Sequence, residues 1–310
     1  MKRKKDIIQK SGKIAYLKRY FWLYVFPIPA LLYFGIFHYG PMYGVLMAFQ
    51  DFNPVAGIKA SEFIGLENFR ILFQSDNFTR VFRNSLWLSI LRLVWGFPVP
   101  ILLAVILSEI RAKRFAKISQ TVMYMPHFIS WVVLSGILIN LLSTSNGAVN
   151  QVIEFFGGEP IQFLQRKEYF RSVIVISDIW KEAGWGAIVY IAAISGIDRE
   201  MFEAAKVDGA KMMQKIWYIT LPSIAPTITV LFILRLGSVL KNGFEQIFML
   251  YSPVVYDVAD VFETYVYRIG MQEGKYGFAS AVGLFQSVVG LILVLVTNTI
   301  SKKVGEGGIW

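Results

Sequence analysis

The sequence contains no cysteine and only two histidines, His38 and His127, which lie far apart along the chain. The absence of cysteine excludes disulfides, thiolate metal sites, iron–sulfur clusters and a cysteine nucleophile. The two histidines are too widely separated to form an H-E-x-x-H zinc motif. No G-x-x-x-x-G-K-[ST] sequence is present either, so the chain carries no P-loop nucleotide site of its own.

Charged residues are also scarce. They make up 17% of the 310 residues, against about 25% in ordinary soluble domains. Hydrophobic residues make up 55% of the chain, and the mean hydropathy is +0.51. Together these departures predict an integral membrane protein. Six spans and their connections would use nearly the whole length, which leaves no room for a separate soluble catalytic domain.

Six stretches are candidate transmembrane helices, because a bilayer core about 30 Å thick requires about 20 mostly apolar residues. They are Phe21–Tyr39, Trp87–Leu107, Thr121–Leu142, Val173–Ile194, Ile224–Leu240 and Phe278–Thr297. The first is interpreted as a retained helix and not as a cleaved signal peptide, because the run is long and no A-x-A site follows it. After this first stretch, apolar residues recur at helical spacing over Phe63–Phe73, which predicts an interfacial helix.

The distribution of lysine and arginine predicts the orientation. Of the 31 basic residues, 18 lie in the two tails and in the connections that follow the second and fourth stretches. The same four segments hold only seven of the 21 acidic residues. By the positive-inside rule these segments are cytoplasmic, and so are both termini. The net charge of +10 is therefore explained by topology, with anionic lipid and not nucleic acid as the expected contact.

The connection before the fifth stretch carries a motif of fixed spacing. It reads Glu203-Ala204-Ala205-Lys206-Val207-Asp208-Gly209 and, after nine further residues, Ile219-Thr220-Leu221-Pro222. We expect two short helices around a turn. Asp198 is a suitable N-cap for the first helix, Asp208-Gly209 is a turn signal, and Leu221-Pro222 restricts the backbone where the chain re-enters the membrane.

This segment resembles the E-A-A-x3-G-x9-I-x-L-P signature of ABC importer permeases and matches it at every fixed position. Three further stretches resemble sugar-type permeases of that group: Tyr124–Trp131, Ile179–Trp185 and Tyr190–Ile194. The resemblance covers roughly residues 20–300 and is strongest to permeases for oligosaccharides. One departure is Asp198, where many relatives carry proline, but an aspartate can still cap the helix.

The resemblance implies the all-α fold of a type I ABC importer permease, with six transmembrane helices and both termini in the cytoplasm. Residues 1–20 would form a basic cytoplasmic tail, residues 21–300 the permease domain and residues 301–310 a cytoplasmic C-terminal tail. The core of the permease domain would lie at about 80–300, with the coupling loop at 196–226. The family location implied is the bacterial cytoplasmic membrane.

The resemblance also implies partners and a role for the motif. A second, homologous permease, an ABC ATPase dimer and an extracytoplasmic solute-binding protein would complete the importer. ATP and Mg²⁺ would belong to the ATPase, so this chain is expected to bind no cofactor or metal and not to be an enzyme. The residues carried over to ATPase coupling are Glu203, Ala204, Ala205, Asp208, Gly209, Ile219, Leu221 and Pro222.

Polar and aromatic residues inside the spans are candidates for the substrate pathway, since charges are costly in a bilayer and are kept there for function. The candidates are Asp178, Trp180, Lys181, Glu182, Trp185, Tyr190, Arg92, Arg235, Asn242, Glu245 and Gln246. Asp178 is expected to pair either with Lys181 or with a neighbouring helix. The alternative is that the charged residues form internal ion pairs. His127, beside Pro126, is interpreted as structural.

Two other functions remain open at this point. One is a permease of the same family that carries a non-sugar solute, such as amino acids or metal ions, although the aromatic fourth stretch disfavours metals. The other is a membrane-embedded enzyme. It would require a cluster of nucleophile, base or metal ligands, for which Asp178 and Glu182 are the only candidates and no spacing recommends them. The four cationic side chains Arg92, Lys181, Arg235 and Lys241 would suit acidic oligosaccharides, but they could equally pair with the acids nearby.

Overall fold

The computed structural model of the chain describes residues 16, 18–110 and 112–304. Most of the predicted basic tail at 1–20 therefore lies outside the described residues. So do Arg111 and the last six residues of the predicted C-terminal tail.

The described chain is mostly helical. The helices of its first half are α1 (Phe21–Val25), α2 (Ile28–Phe34), α3 (Gly57–Ala60), α4 (Glu67–Gln74), α5 (Asp76–Leu91), α6 (Pro98–Ser108), α7 (Lys113–Tyr124), α8 (Trp131–Leu141) and α9 (Ala148–Phe155). Those of its second half are α10 (Lys167–Ser195), α11 (Arg199–Val207), α12 (Met212–Lys215), α13 (Leu221–Gly237), α14 (Phe244–Leu250), α15 (Tyr256–Ala259), α16 (Phe262–Tyr267) and α17 (Tyr276–Val304).

Short 3₁₀ and π segments extend several of these helices. They are Gly35–Tyr39, Gly40–Phe49, Arg92–Gly96, Met125–Phe128, Ile216–Thr220, Pro253–Val255 and Arg268–Gln272. Two strands, β1 (Gln50–Asp51) and β2 (Glu62–Phe63), pair antiparallel, with Gln50 opposite Phe63. Because Phe63 is held in this strand pair, the predicted interfacial helix begins only at Glu67.

Four stretches of the described chain are long and apolar enough to cross a bilayer. They are Phe21–Phe49, Asp76–Ser108, Met212–Gly237 and Tyr276–Lys303. The pair α7–α8 adds a fifth if it is counted as one span. Helix α10 has 29 residues, or about 43 Å, and so is long enough as well, but it carries three charges near its middle. The predicted count of six spans and the orientation of the termini stay predictions.

The prediction of one continuous helix over Thr121–Leu142 is wrong, because the chain bends by 98° between α7 and α8. The residues at the break are extended, and Ser130 caps the new helix by accepting the N–H of Val133 at 3.3 Å. The break frees the carbonyl of His127, which accepts a hydrogen bond from Lys181 Nζ at 2.6 Å. A charged side chain of α10 thus compensates for the interrupted helix.

Helix α10 is the centre of the packing. It lies against α6 and α13 through a cluster built on Ala104, Ala187, Tyr190 and Ile224. On its other flank it approaches α7 so closely that a Cβ at position 184 would lie 2.0 Å from the carbonyl oxygen of Met123. Only glycine fits there, and Gly184 therefore sets the distance between the two helices. A second cluster of buried apolar residues joins α10 to α5 and α14. A third such cluster joins α5, α16 and α17.

Candidate coupling segment and translocation cleft

The motif-bearing connection starts with the nine-residue helix α11. Asp198 caps it, with Oδ1 accepting the backbone N–H of Glu200 at 3.0 Å. This confirms the predicted cap. No residue of α11 is buried, and Glu203 and Ala204 are exposed. The helix is therefore held mainly by its own backbone and cap, with only Phe202 and Ala205 partly buried.

Helix α11 ends in a Schellman motif. Gly209 adopts φ +73°, its N–H donates to the carbonyl of Lys206 at 3.2 Å, and the N–H of Ala210 donates to Ala205 at 2.8 Å. The left-handed conformation favours glycine at this position. The spacing between Ala205 and Gly209 is thus the spacing that this helix end requires.

The second half of the segment returns the chain to the helical bundle. The N–H of Lys211 donates to Gln214 Oε1 at 2.7 Å, which caps α12. Ile216 and Ile219 are buried beneath it. Pro222 is the second residue of α13, which directly follows the π segment Ile216–Thr220, and it removes one N–H donor at that junction. The segment is anchored by Ile216 and Ile219, while its first helix has no buried residue.

Large apolar side chains are uncovered over both halves of this segment. Their exposed fractions are Met201 46%, Val207 88%, Met213 61%, Trp217 62% and Tyr218 80%. Met201 and Val207 lie among the charged residues of α11, whereas Met213, Trp217 and Tyr218 belong to Met212–Gly237, the stretch long enough to cross a bilayer. An exposed apolar surface with a polar rim is typical of a protein interface.

A cleft of about 440 Å³ opens between α10, α13 and the start of α6. It brings together five of the predicted pathway residues, which are Asp178, Glu182, Trp185, Tyr190 and Arg235. The opposite wall includes Gly96, Phe97 and Pro100. Two carboxylates, one guanidinium, an indole and a phenol thus share one cavity, which offers hydrogen bonds and aromatic faces to a polar solute.

The charged trio of α10 is split between two environments. Asp178 does not pair with Lys181. Its Oδ2 lies 3.8 Å from Nε of Arg92, on a neighbouring helix. Lys181 is buried, and its Nζ lies 3.1 Å from Glu182 Oε1 in addition to its bond to the carbonyl of His127. Of the two pairings that the sequence left open for Asp178, the structure has the interhelical one.

His127 lies at the edge of the cleft. Its ring stacks on Trp185 with centroids 4.4 Å apart and planes 3° apart, and its Nδ1 lies 2.8 Å from Glu182 Oε2. The histidine orients two cleft residues through these contacts. Sequence reasoning gave His127 only a structural role and missed the wall at Phe97 and Pro100, since a lone histidine and two apolar residues carry no signal of a cavity.

Three other candidates lie in a buried polar network and do not line the cleft. Arg92 Nη2 donates to Gln246 Oε1, and Gln246 Nε2 donates to the carbonyl of Ile174 at 2.8 Å and to Ser177 Oγ at 2.9 Å. Asn242 bonds to the carbonyl of Ser85 at 3.2 Å. Trp180 and Glu245 are exposed and also lie outside the cleft lining. Substrate contact by these five residues stays a prediction.

Residues 78–306, most of the chain, match the family described as "Binding-protein-dependent transport system inner membrane component". The chain belongs to this family. It is thus a permease of an ABC transporter in the membrane. Of the alternatives left open by the sequence, membership of this family supports a transport protein and not a membrane-embedded enzyme.

Named relatives of this permease include two proteins of Bacillus subtilis (strain 168). The polygalacturonan/rhamnogalacturonan transport system permease protein YteP is 45% identical over 289 residues, which cover 93% of this chain and 90% of YteP. Protein LplB is 45% identical over 297 residues, which cover 96% of this chain and 93% of LplB.

Two solved structures share the fold of this permease over nearly the whole chain. One is a bacterial ABC transporter involved in the import of the acidic polysaccharide alginate, with a TM-score of 0.86 and 45% identity over 93% of this chain and 97% of that chain. The other is a bacterial alginate ABC transporter in complex with an alginate pentasaccharide-bound periplasmic protein. It gives a TM-score of 0.87 and 44% identity over 94% and 98% of the two chains.

Proposed function

We propose that this permease forms half of the translocation pathway of an ATP-driven importer for oligosaccharides that contain uronic acids. The uncovered segment from Asp198 to Pro222 carries the proposal, because its exposed apolar side chains and intact family motif require a partner surface. That partner would be the ATPase dimer, which binds ATP and Mg²⁺ and moves this segment when it closes.

The nature of the substrate is supported by the relatives and by the cleft. YteP is named for polygalacturonan and rhamnogalacturonan, and a solved relative is described as an importer of the acidic polysaccharide alginate. All of these polymers contain carboxylate-bearing sugars. In the cleft, the carboxylates of Asp178 and Glu182 are paired with Arg92 and Lys181. Arg235 supplies a further cation and Trp185 an aromatic face, which together suit a charged sugar ring.

The importer would need further subunits. This chain would form one half of the pathway, and a second, homologous permease would supply the other half. A solute-binding protein would deliver the sugar from outside, as in the solved complex that contains a pentasaccharide-bound periplasmic protein. The spans would then alternate between outward and inward openings in the bacterial cytoplasmic membrane.

The proposed topology has six spans with both termini in the cytoplasm. Helix α10 would bring the count of spans to six, as the fourth span along the chain. It is long enough, and its charges are compensated within the protein, Lys181 by Glu182 and Asp178 by Arg92. The coupling segment would then lie on the same side as the basic tails. Residues 1–20 and 301–310 would be cytoplasmic, and residues 21–300 would form the permease domain.

The proposal is tested with the complete importer in proteoliposomes. ATP hydrolysis is measured with the binding protein loaded with trigalacturonate or with neutral maltotriose. Stimulation by trigalacturonate that is absent with maltotriose supports the proposed substrate class. Stimulation only by the neutral sugar, or by neither, would contradict it.

Coupling is tested in the same system with Glu203→Ala, and Glu200→Ala is the matched control on the same exposed helix. We expect Glu203→Ala to lose the ATPase during purification and to lose stimulated hydrolysis, while Glu200→Ala keeps both. If the ATPase is retained equally by both variants, the coupling assignment fails.

A further inference from the structure

A second cavity is formed by the connections that the distribution of lysine and arginine assigns to the exterior. It has a volume of about 630 Å³ and is enclosed by the segments 50–52, 68–80, 256 and 265–278. It shares no lining residue with the cleft of Asp178 and Arg235. The two cavities therefore belong to different parts of the same permease.

One wall of this outer pocket is rigidly held. Arg268 donates two hydrogen bonds to Asp260, at 3.1 and 2.5 Å, and Asp260 is completely buried. The guanidinium lies over the ring of Tyr256 at 4.9 Å and over that of Tyr265 at 5.6 Å. Because the cation and both rings fix one another, the aromatic wall is preorganised and loses little entropy on binding.

Two residues of the lining each have a polar atom that lacks a partner. Gln50 is 7% exposed, and its Nε2 donates to the carbonyl of Ile58 at 2.8 Å, while its Oε1 is buried and accepts nothing among the described residues. Nε of Arg80 is likewise buried without a partner. An unpartnered buried acceptor and an unpartnered buried donor are costly, but both atoms are closed off from the pocket as well as from water, so a ligand would be bound by the exposed lining and not by these two atoms.

The rest of the lining has the composition of a carbohydrate site. Amides and a hydroxyl come from Asn68, Asn77 and Ser75, and aromatic rings come from Phe52, Tyr276 and Phe278. The charged residues at the rim are Asp51, Glu273 and Lys275. A hydrogen bond from Lys275 to Glu273 raises the pKa of Lys275, so this side chain is cationic at neutral pH.

We propose that the outer pocket is a second binding site for the sugar residues of the oligosaccharide, occupied before the substrate reaches the cleft. The proposal rests on the proposed function, because it takes the cargo to be an oligosaccharide. Arg80 would contact hydroxyl or carboxylate groups, and Tyr276 would contact a ring face.

The absence of cysteine from this permease makes a direct test available. Asn77→Cys and Lys275→Cys each place a thiol at the exposed rim of the pocket, and Arg70→Cys places a matched thiol on the exposed face of α4, outside the pocket. Maleimide labelling of this chain is followed in the complete importer in nanodiscs, without binding protein, over a concentration series of trigalacturonate.

We expect labelling at positions 77 and 275 to slow by about tenfold when trigalacturonate is present at ten times its Kd, and labelling at position 70 to stay unchanged. Equal labelling at all three positions with and without the sugar would overturn the proposal. So would protection that appears only when the binding protein is added, since the pocket would then be covered by protein.

The same variants separate this proposal from the proposed function. If trigalacturonate-loaded binding protein still stimulates ATP hydrolysis while the pocket is not protected, the outer site alone is refuted. If protection is seen but no oligosaccharide stimulates hydrolysis, the outer site stands and the proposed importer function fails.

Discussion

The two segments that flank α13 are built in opposite ways. The segment before it, residues 198–220, starts with an exposed helix that is stabilised by its own cap and C-terminal turn. The segment after it, residues 239–277, is tied to α5 and α10 by buried hydrogen bonds from Asn242 and Gln246. The first has no buried residue in its leading helix, whereas the second buries Asn242, Gln246 and Asp260 in internal hydrogen bonds, although other polar residues of it, such as Lys241 and Glu245, are exposed.

This contrast indicates which segment of the permease is available to contact another chain. A segment that satisfies only its backbone leaves its side chains available for a partner, whereas a segment whose polar side chains are satisfied internally acts as a scaffold. The network around Arg92 and Gln246 holds α10 in place and, through the contact between Arg92 and Asp178, one wall of the cleft. Substitutions in the first segment should therefore reduce binding of the ATPase, and substitutions in the second should reduce the stability of the permease.

The largest effect is expected from Gly209→Pro. Proline fixes φ near −65°, against +73° here, and removes the N–H that donates to Lys206, a local cost of about 3 kcal/mol or more. We expect the ATPase to be lost during purification. Gly157→Pro is the matched control, because Gly157 ends α9 in the same Schellman motif, with φ +84°. Equal loss of the ATPase in both variants would mean that general instability, and not the coupling segment, is responsible.

The next effect is expected from Gln246→Ala. It leaves the guanidinium of Arg92 without its hydrogen-bond acceptor in a buried region, which should cost about 2 kcal/mol of unfolding free energy, while the carbonyl of Ile174 still accepts from Ser177 Oγ at 3.2 Å. Thermal unfolding in detergent measures it. Glu245→Ala, at the exposed neighbouring position, should change stability by less than about 0.5 kcal/mol. An unchanged melting temperature for Gln246→Ala would show that the network is not a scaffold.

A smaller effect is expected from Arg235→Gln, which removes the cation of the cleft without touching the buried network. The rate of trigalacturonate transport should fall about tenfold, which corresponds to about 1.4 kcal/mol in the transport barrier. Lys241→Gln is the control, because Lys241 is exposed and does not line the cleft. If both variants transport normally, the cleft does not handle the acidic sugar.

The smallest effect is expected from Asp198→Ala. Loss of the N-cap should destabilise α11 by about 1 kcal/mol. This lowers the fraction of molecules in which α11 is folded and able to bind the ATPase. ATP hydrolysis stimulated by the loaded binding protein should therefore fall a few-fold. Asp198→Asn keeps an acceptor for the N–H of Glu200 and should restore most of the activity. A variant Asp198→Asn as impaired as Asp198→Ala would indicate that charge, and not capping, is what the partner requires.

Part of this architecture could be predicted from sequence because its causes are local. Asp198 and Gly209 were correctly placed at the ends of one helix, since caps and left-handed turns depend on one or two residues. The apolar stretches gave the approximate positions of the long helices. The bend after Phe128 was missed, because the carbonyl it frees is satisfied by Lys181, more than fifty residues away.

The candidate cleft likewise includes residues that sequence could predict, while other predicted residues turn out to lie elsewhere. Residue types alone indicated that Asp178, Glu182, Trp185, Tyr190 and Arg235 belong to a pathway, and the structure brings these five to one cavity. The same reasoning grouped Arg92, Asn242 and Gln246 with them, although they are buried in hydrogen bonds elsewhere. A polar residue in an apolar helix has to be satisfied, but sequence does not reveal whether a cavity or another helix satisfies it.

The sequence by itself determined that this chain is a membrane protein, that it carries the sequence motif of ABC importer permeases and that it contains no P-loop sequence. These follow from composition and from residues adjacent along the chain. Only the tertiary structure decided which polar side chains face a cavity, that Asp178 pairs with Arg92, and that an outer pocket exists. Each of these depends on distances between helices, and those distances are set by packing such as the contact of Gly184 with Met123.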